Sequence, residues 1–165
     1  MSFNTIRDIL LQKFGPQVIV EEQTSGLQYA LVIKTDLIAE VCLELRDNES
    51  TYFDFLSCIT GVDYGIDDTR FSIVYHLASI PYKLQITLKV IKEHDRHSDI
   101  LPSFPTVSNV WKTAEWHERE VFDLTGIHFE GHPDLRRILL PDDWEGYPLR
   151  KDYVAAEEYK GIKIN

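Results

Sequence analysis

The sequence predicts an α+β protein of two layers: a mixed five-stranded sheet with helices on one face, followed by an extended C-terminal docking arm. Three observations predict it. Helical and alternating patterns follow in the order helix, two strands, helix, three strands, the pattern of a sheet covered by helices. The strand signal is cleanest at residues 84–90, where Leu84, Ile86, Leu88 and Val90 alternate with Lys83, Gln85, Thr87 and Lys89, so one face is buried and the other wet. Beyond Gly126 the chain changes to Gly, Pro and Asp punctuation with charged and aromatic residues between.

The first helix spans residues 4–14, with Ile6, Ile9, Leu10 and Phe14 at helical spacing, Asn4 or Thr5 as cap and Gly15 as stop before Pro16. Val18–Gln23 is the first strand and Thr24–Gly26 a turn. Leu27, Tyr29, Leu31 and Ile33 alternate in the second strand, so the two form a hairpin. Thr35 and Asp36 are positioned to cap a second helix with the stripe Ile38, Val41, Cys42 and Leu45. The apolar run Phe53–Val62 reads as a buried strand or as a short helix running into a strand. Asp63, beside the turn at 65–68, is expected to be solvated or capping. Phe71, Ile73, Tyr75 and Leu77 alternate in the next strand, and Pro81 marks the turn to the last.

Lys92–Pro105 is a long polar connection. Its Glu93, His94, Asp95, Arg96, His97 and Asp99 have no fixed ligand spacing, and mixed loop charges are ordinarily solvated. After a turn at 108–111, Thr113 caps a helix over 114–125 that closes at Gly126. On it Glu115, Arg119 and Asp123 stand four apart, the spacing of a salt-bridged ridge, while His117, Glu120, Val121 and Leu124 share a neighbouring face. The chain therefore divides into a domain of residues 1–125 and an arm of residues 126–165.

Composition excludes several functions. Of 165 residues, 44% are hydrophobic and 27% charged, as in a soluble globular domain. A net charge of −10 opposes non-specific nucleic-acid binding, which needs a basic face. No apolar run approaches the roughly 20 residues of a membrane-spanning helix. Cys42 and Cys58, without CxxC spacing or a signal-like start, read as reduced thiols, and two cysteines cannot hold an iron–sulfur cluster. In the dense stretch Trp116–Tyr153, His117–Glu118 opens like a zinc-protease HExxH, but position 121 is Val. His128, His132 and Asp134 match no standard zinc spacing. Glu118, Glu120 and Asp123 offer acid–base chemistry, yet Arg119 and an exposed helix face favour ordinary ionised pairs. No serine lies in a GxSxG. Arg136, Arg137, Arg150 and Lys151 alternate with Asp134, Asp142, Asp143 and Asp152, which suits ion pairing within the chain or across an interface. Leu135, Ile138, Leu139 and Leu140 are too few to close a core of their own, so the arm reads as a segment that packs on a partner.

His117-Glu-Arg-Glu120, Asp123, Gly126-Ile127, Phe129, Gly131-His-Pro-Asp-Leu-Arg-Arg-Ile-Leu139 and Pro148-Leu-Arg-Lys-Asp152 together resemble the signature of the C-type subunit of the proton-translocating NADH:quinone oxidoreductase, respiratory complex I. A weaker match runs back through Gly61-Val62-Asp63-Tyr64 and Tyr75-His76-Leu77, so the likeness covers nearly the whole chain. It departs at Thr125, where the family has a large apolar residue, and at Val154, where it has Pro. The resemblance implies a mixed sheet with helices on one side and a non-catalytic, cofactor-free peripheral-arm subunit on the cytoplasmic side of the bacterial cell membrane, reaching the membrane only through the complex. FMN, iron–sulfur clusters and quinone would be bound by other subunits, which pass electrons from NADH to quinone and couple this to proton translocation. Partners would be the D-type subunit, which carries the quinone site, and neighbouring iron–sulfur subunits. A chain ending at Asn165 is expected to be neither fused to that quinone-site subunit nor extended by a long tail.

Candidate interface residues are His117, Glu118, Arg119, Glu120, Asp123, His132, Asp134, Arg136, Arg137, Trp144, Arg150, Lys151 and Asp152. Reversing Arg136 or Arg137 to Glu is expected to impair assembly while the isolated domain still folds. The alternatives are the equivalent subunit of a related hydrogenase or other-donor quinone oxidoreductase, and a metal-dependent hydrolase using His117, Glu118, His128 and His132.

Overall fold

A computed structural model describes residues 2–25 and 28–163, so Gly26 of the expected turn and Leu27 of the expected second strand lie outside the described residues. Helix α1 (Phe3–Phe14) starts earlier than expected because Ser2 caps it, its hydroxyl accepting from the Thr5 N–H at 3.3 Å. Gly15 closes the helix at φ +84°. Strands β1 (Ile19–Gln23) and β2 (Ala30–Ile33) pair antiparallel as the expected hairpin.

All four residues of β2 are buried, not every second one. The strand is interior, and its short outer-face residues Ala30 and Val32 lie beneath a bond from Lys89 Nζ to Gln23 Oε1 at 2.7 Å. A 3-10 turn at Thr35–Leu37 leads into α2 (Ile38–Asp47). Neither expected cap forms there; the Thr35 hydroxyl donates to the Ile91 carbonyl instead. The stripe Ile38, Val41, Cys42 and Leu45 is buried as its spacing requires.

The ambiguous apolar run resolves as strand β3 (Phe55–Asp63), bulged between Leu56 and Cys58. Strands β4 (Arg70–Ser79) and β5 (Leu84–Glu93) follow, giving the sheet order β1-β2-β5-β4-β3. Only β2 and β5 pair parallel in it, the rest antiparallel, so the sheet is mixed. Ile6 and Leu10 of α1, the α2 stripe and the alternating residues Phe71, Ile73, Tyr75, Leu77, Leu88 and Val90 form one core.

The polar connection hides a second small sheet. Strand β6 (Ser103–Pro105) pairs parallel with β7 (His128–Glu130), and helix α3 (Ala114–Thr125) is the crossover between them. Gly61 of β3 lies directly beneath α3, where an added Cβ would come within 2.7 Å of Val121. A short hairpin, β8 (Glu158–Tyr159) with β9 (Ile162–Lys163), ends the described chain.

Candidate functional site

Helix α3 carries the densest charge, yet the expected ridge does not form. Thr113 makes no side-chain cap, and Glu115 pairs with Lys112 at 3.1 Å. Arg119 donates to the carbonyls of Arg136 at 3.2 Å and Arg137 at 3.0 Å, with the Trp116 ring 5.4 Å from its guanidinium. Helical spacing brings these side chains within reach of one another, but the returning chain offers Arg119 and Asp123 better partners.

Asp123 is fully buried. Its Oδ2 accepts three consecutive backbone N–H groups, from Ile138 (2.9 Å), Leu139 (2.7 Å) and Leu140 (2.9 Å), and its Oδ1 accepts from Arg137 at 2.7 Å. Arg137 also donates to the carbonyls of Asp123 (3.1 Å), Trp144 (2.9 Å) and Gly146 (2.9 Å). Burial pushes this carboxyl up, but the Leu140 N–H, the Arg137 guanidinium and the Ile138 and Leu139 N–H groups outweigh it, so Asp123 titrates below its ordinary value. The carboxylate is thus the template on which residues 137–140 fold. Gly126 caps α3 at φ +68°, its Cα side occupied by the Tyr147 ring, and the Leu149 N–H donates to the Leu124 carbonyl at 2.8 Å.

A second anchor forms where solvation was expected. The Asp63 side chain is buried in an ion pair with Arg96, the loop arginine, and also accepts from the Lys151 N–H at 2.9 Å. Burial raises the Asp63 carboxyl; the bonds from Arg96, Lys151 and Gly65 overcome it and hold the group below its ordinary value. Arg96 reaches the Asp68 carbonyl at 2.7 Å and Asp152 at 3.7 Å, and Asp152 pairs with Arg150 at 3.0 Å. The guanidiniums of Arg96 and Arg150 both lie against the Phe71 ring, at 4.7 and 5.4 Å from its centroid. Asp63 therefore ties sheet, connection and arm together.

Glu118 overturns the expectation of an exposed, ordinarily ionised pair. It is fully buried, with Oε1 accepting from the Val107 N–H at 2.7 Å and Oε2 2.5 Å from the Thr106 hydroxyl. That hydroxyl also lies 2.8 Å from Ser108 Oγ and accepts from the Ser108 N–H at 3.1 Å. Burial, against the opposing bonds of Thr106 and Val107 and with help from Glu115, pushes the carboxyl up to about 7. His132 stands nearby, its Nε2 4.0 Å from Glu118 Oε2. Its Nδ1 accepts from the Asp134 N–H at 3.0 Å and its Nε2 donates to the Glu115 carbonyl at 3.0 Å, the pattern of a neutral ring with both nitrogens engaged.

The four residues of the hydrolase alternative do not converge. His132 is fully used by protein partners, while exposed His128 faces Ser103, with Nδ1 3.2 Å from its hydroxyl. Among the described residues no three His, Cys, Asp or Glu side chains gather as a metal site.

Of the remaining candidates, Glu120, Asp134, Arg136, Lys151 and Asp152 are exposed, and His117, Trp144 and Arg150 are half-buried. Arg136 pairs with Asp134 at 2.9 Å, within the chain. Trp144 stacks on Tyr159, centroids 5.3 Å apart, with its Nε1 buried and without a protein partner. Arg137 is mostly buried, so its reversal strikes the chain's own fold and the expectation of an intact isolated domain fails for it. Sequence reasoning missed Asp63, Arg96, Thr106 and Tyr147. For Asp63 a signal existed, since it falls in the weaker stretch of resemblance, Gly61–Tyr64.

Residues 31–159 match the family described as respiratory-chain NADH dehydrogenase, 30 Kd subunit. The C-type subunit of the NADH-quinone oxidoreductase of Chloroherpeton thalassium is 41% identical over 157 residues, which are 94% of this chain and 62% of that protein. The like-named protein of Chlorobium phaeobacteroides is 40% identical over 158 residues, covering 95% of this chain and 92% of that one. The fold is similar to that of a chain in the membrane-bound sulfane sulfur reductase, an archaeal respiratory membrane complex. The TM-score is 0.72 at 25% identity, covering 92% of this chain and 85% of that chain.

Proposed function

Since the chain belongs to the family of the 30 kDa subunit of respiratory-chain NADH dehydrogenase, we propose that it is a non-catalytic, cofactor-free subunit of a membrane-bound NADH:quinone oxidoreductase. In this reading its work is to dock on the D-type, quinone-site subunit and on neighbouring iron–sulfur subunits, at the cytoplasmic side of a bacterial cell membrane. Electron transfer through FMN and iron–sulfur clusters to quinone, and its coupling to proton translocation, belong to the partners. Among the described residues no helix is long and apolar enough to cross a membrane, so attachment through the complex fits the chain.

The observation that carries the reading is that the arm is anchored by buried ion pairs and yet leaves apolar residues in the open. The pairs Asp63–Arg96 and Asp123–Arg137 hold it to the chain's own structure. Leu139 (60% exposed), Leu149 (59%) and Val154 (87%) remain exposed along it, as do Arg136 and Lys151. Apolar residues held outward by buried ion pairs suit a preformed contact surface. Arg136→Glu and Leu139→Asp are expected to leave the isolated chain folded and to reduce its recovery in the membrane complex at least tenfold. Normal recovery of both variants would remove the arm from the interface.

A second reading, the equivalent subunit of a complex fed by another donor, is favoured by the likeness to the sulfane sulfur reductase chain. Donor oxidation by the complex purified through this chain separates the two: NADH-dependent quinone reduction supports the first, its absence the second.

A further inference from the structure

We propose that the outer edge of β3 is a second docking surface, one that adds an extended, uncharged β-segment of another polypeptide to the five-stranded sheet. Resting on the reading of this chain as a subunit of a larger complex, the inference concerns a surface separate from the arm. β3 pairs only with β4, and among the described residues no hydrogen bond reaches its outer ladder. An unpaired ladder of alternating N–H and C=O groups is complementary to one kind of ligand, another strand.

The two edges of this sheet are built differently. β1, at the far edge, is only five residues long and carries the exposed acids Glu21 and Glu22, the usual protection against strand addition; each edge strand has one bulge, at Ile19/Glu21 in β1 and at Leu56/Cys58 in β3. β3 runs for nine residues, and between Asp54 and Asp63 it has no charge and no proline. Of the flanking acids, Asp63 is buried on Arg96, while Asp54, exposed, accepts from the Ile80 N–H at 2.9 Å. The edge presents Phe55 (46% exposed), Ser57 and Thr60 to solvent.

Two hollows flank its first half. One of about 410 Å³ is lined by Tyr52, Phe55, Leu56 and Trp111 with the charged Arg46, Asp47, Asp54 and Lys112 at its rim; the other, about 660 Å³, spreads over the open face of the sheet from Ser57 and Cys58 past His76 to Thr87. Side chains of an added strand alternate between the two faces of the sheet, so successive residues reach one hollow and then the other. The run Phe55–Val62 carries no charge, so a charged residue laid over it would lose water without gaining a partner. A second copy of this chain is the disfavoured occupant, since two molecules of net charge −10 repel.

The test uses the complex assembled on the full chain. In the wild type, Cys58 is partly accessible and Cys42 buried, so alkylation with a small maleimide reads the edge directly. Cys58 is expected to react at least tenfold more slowly in the complex than in the isolated chain. Ser57→Lys and Thr60→Lys, both at exposed positions, are expected to leave the isolated chain's circular dichroism unchanged while lowering its recovery in the complex at least tenfold. Equal Cys58 reactivity in both states overturns the proposal, whether or not the lysine variants fold. So does normal recovery of folded lysine variants. Loss of recovery with Arg136→Glu alone would reject the edge and keep the arm; a wild-type chain that joins no complex would reject the docking reading itself. If the isolated wild type dimerises, and Thr60→Lys abolishes the dimer without affecting recovery, the occupant is a second copy and the proposal fails.

Discussion

Two buried carboxylates of α3, five residues apart, respond to burial in opposite ways, and the difference is the number of donors each meets. Asp123 receives three backbone N–H groups and a guanidinium, so its ionised form is favoured and its carboxyl titrates low. Glu118 receives one N–H and a shared hydroxyl, so burial dominates and lifts it to about 7. The signs for stability follow. A raised carboxyl contributes stability that is complete below its ordinary value of 4.5 and is lost as pH climbs through about 7. A shift of that size corresponds to about 3 kcal/mol at about 1.4 kcal/mol per unit. Glu118→Gln, the neutral isostere, is therefore expected to match the wild type at pH 5 and to exceed it by roughly 2–3 kcal/mol at pH 8, read by urea unfolding at both pH values. Identical pH slopes for the two proteins would mean that Glu118 does not titrate in this range. Asp63 and Asp123 give the opposite limb: their stabilisation is present above the ordinary carboxylate range and is lost as pH falls below it. Asp123→Asn keeps the shape but leaves Arg137 without its counter-charge. It should cost about 3–5 kcal/mol, the usual penalty for breaking a buried pair from one side.

At the scale of elements, α3 joins sheet and arm through two close approaches. Gly61 admits Val121 and Thr125 over β3; the Thr125 hydroxyl donates back to the Val121 carbonyl at 2.6 Å, which keeps the side chain compact at this contact. Gly126 both ends α3 in the left-handed region and seats Tyr147, whose ring would lie 2.5 Å from an added Cβ. Gly126→Ala combines left-handed strain of about 1 kcal/mol with that clash, and release of Tyr147 is the available relief. Faster amide exchange at Leu149 and Lys151, with the α1 and α2 amides unchanged, is the expected readout. Uniform acceleration throughout the chain would instead point to global destabilisation.

For the molecule as a whole, the arm is integral to the stability of the domain it leaves. Removing residues 133–163 strips Asp123 of four donors and Asp63 of the Lys151 N–H, while Arg119 loses both carbonyl partners. The truncated chain should therefore be at least 3–5 kcal/mol less stable, by the same one-sided breaking of buried polar contacts. Wild-type stability in the truncation would show that the domain closes without its arm. On the proposed docking, an arm held in this way needs little further ordering, and a preorganised surface loses less entropy on association.

Local pattern alone determined much of this protein. The α2 stripe, the alternation of β4 and β5, the Gly126 stop and the order of elements behind the mixed sheet are all set by period and turn chemistry, which act over a few residues. The run Trp116–Tyr153 stands out in the sequence because its composition is unlike the rest. Tertiary structure decided which charges face inward. Helical spacing offered Arg119 to both Glu115 and Asp123, and only the return of residues 136–140 diverted it to backbone carbonyls. Asp63 looked like a loop acid until Arg96 and Lys151, 33 and 88 residues away in sequence, closed over it. Glu118 looked solvated until β6 and the following loop covered it. A charge is stabilised by whatever donors surround it in space, and sequence spacing specifies only those within a turn or two of the same helix.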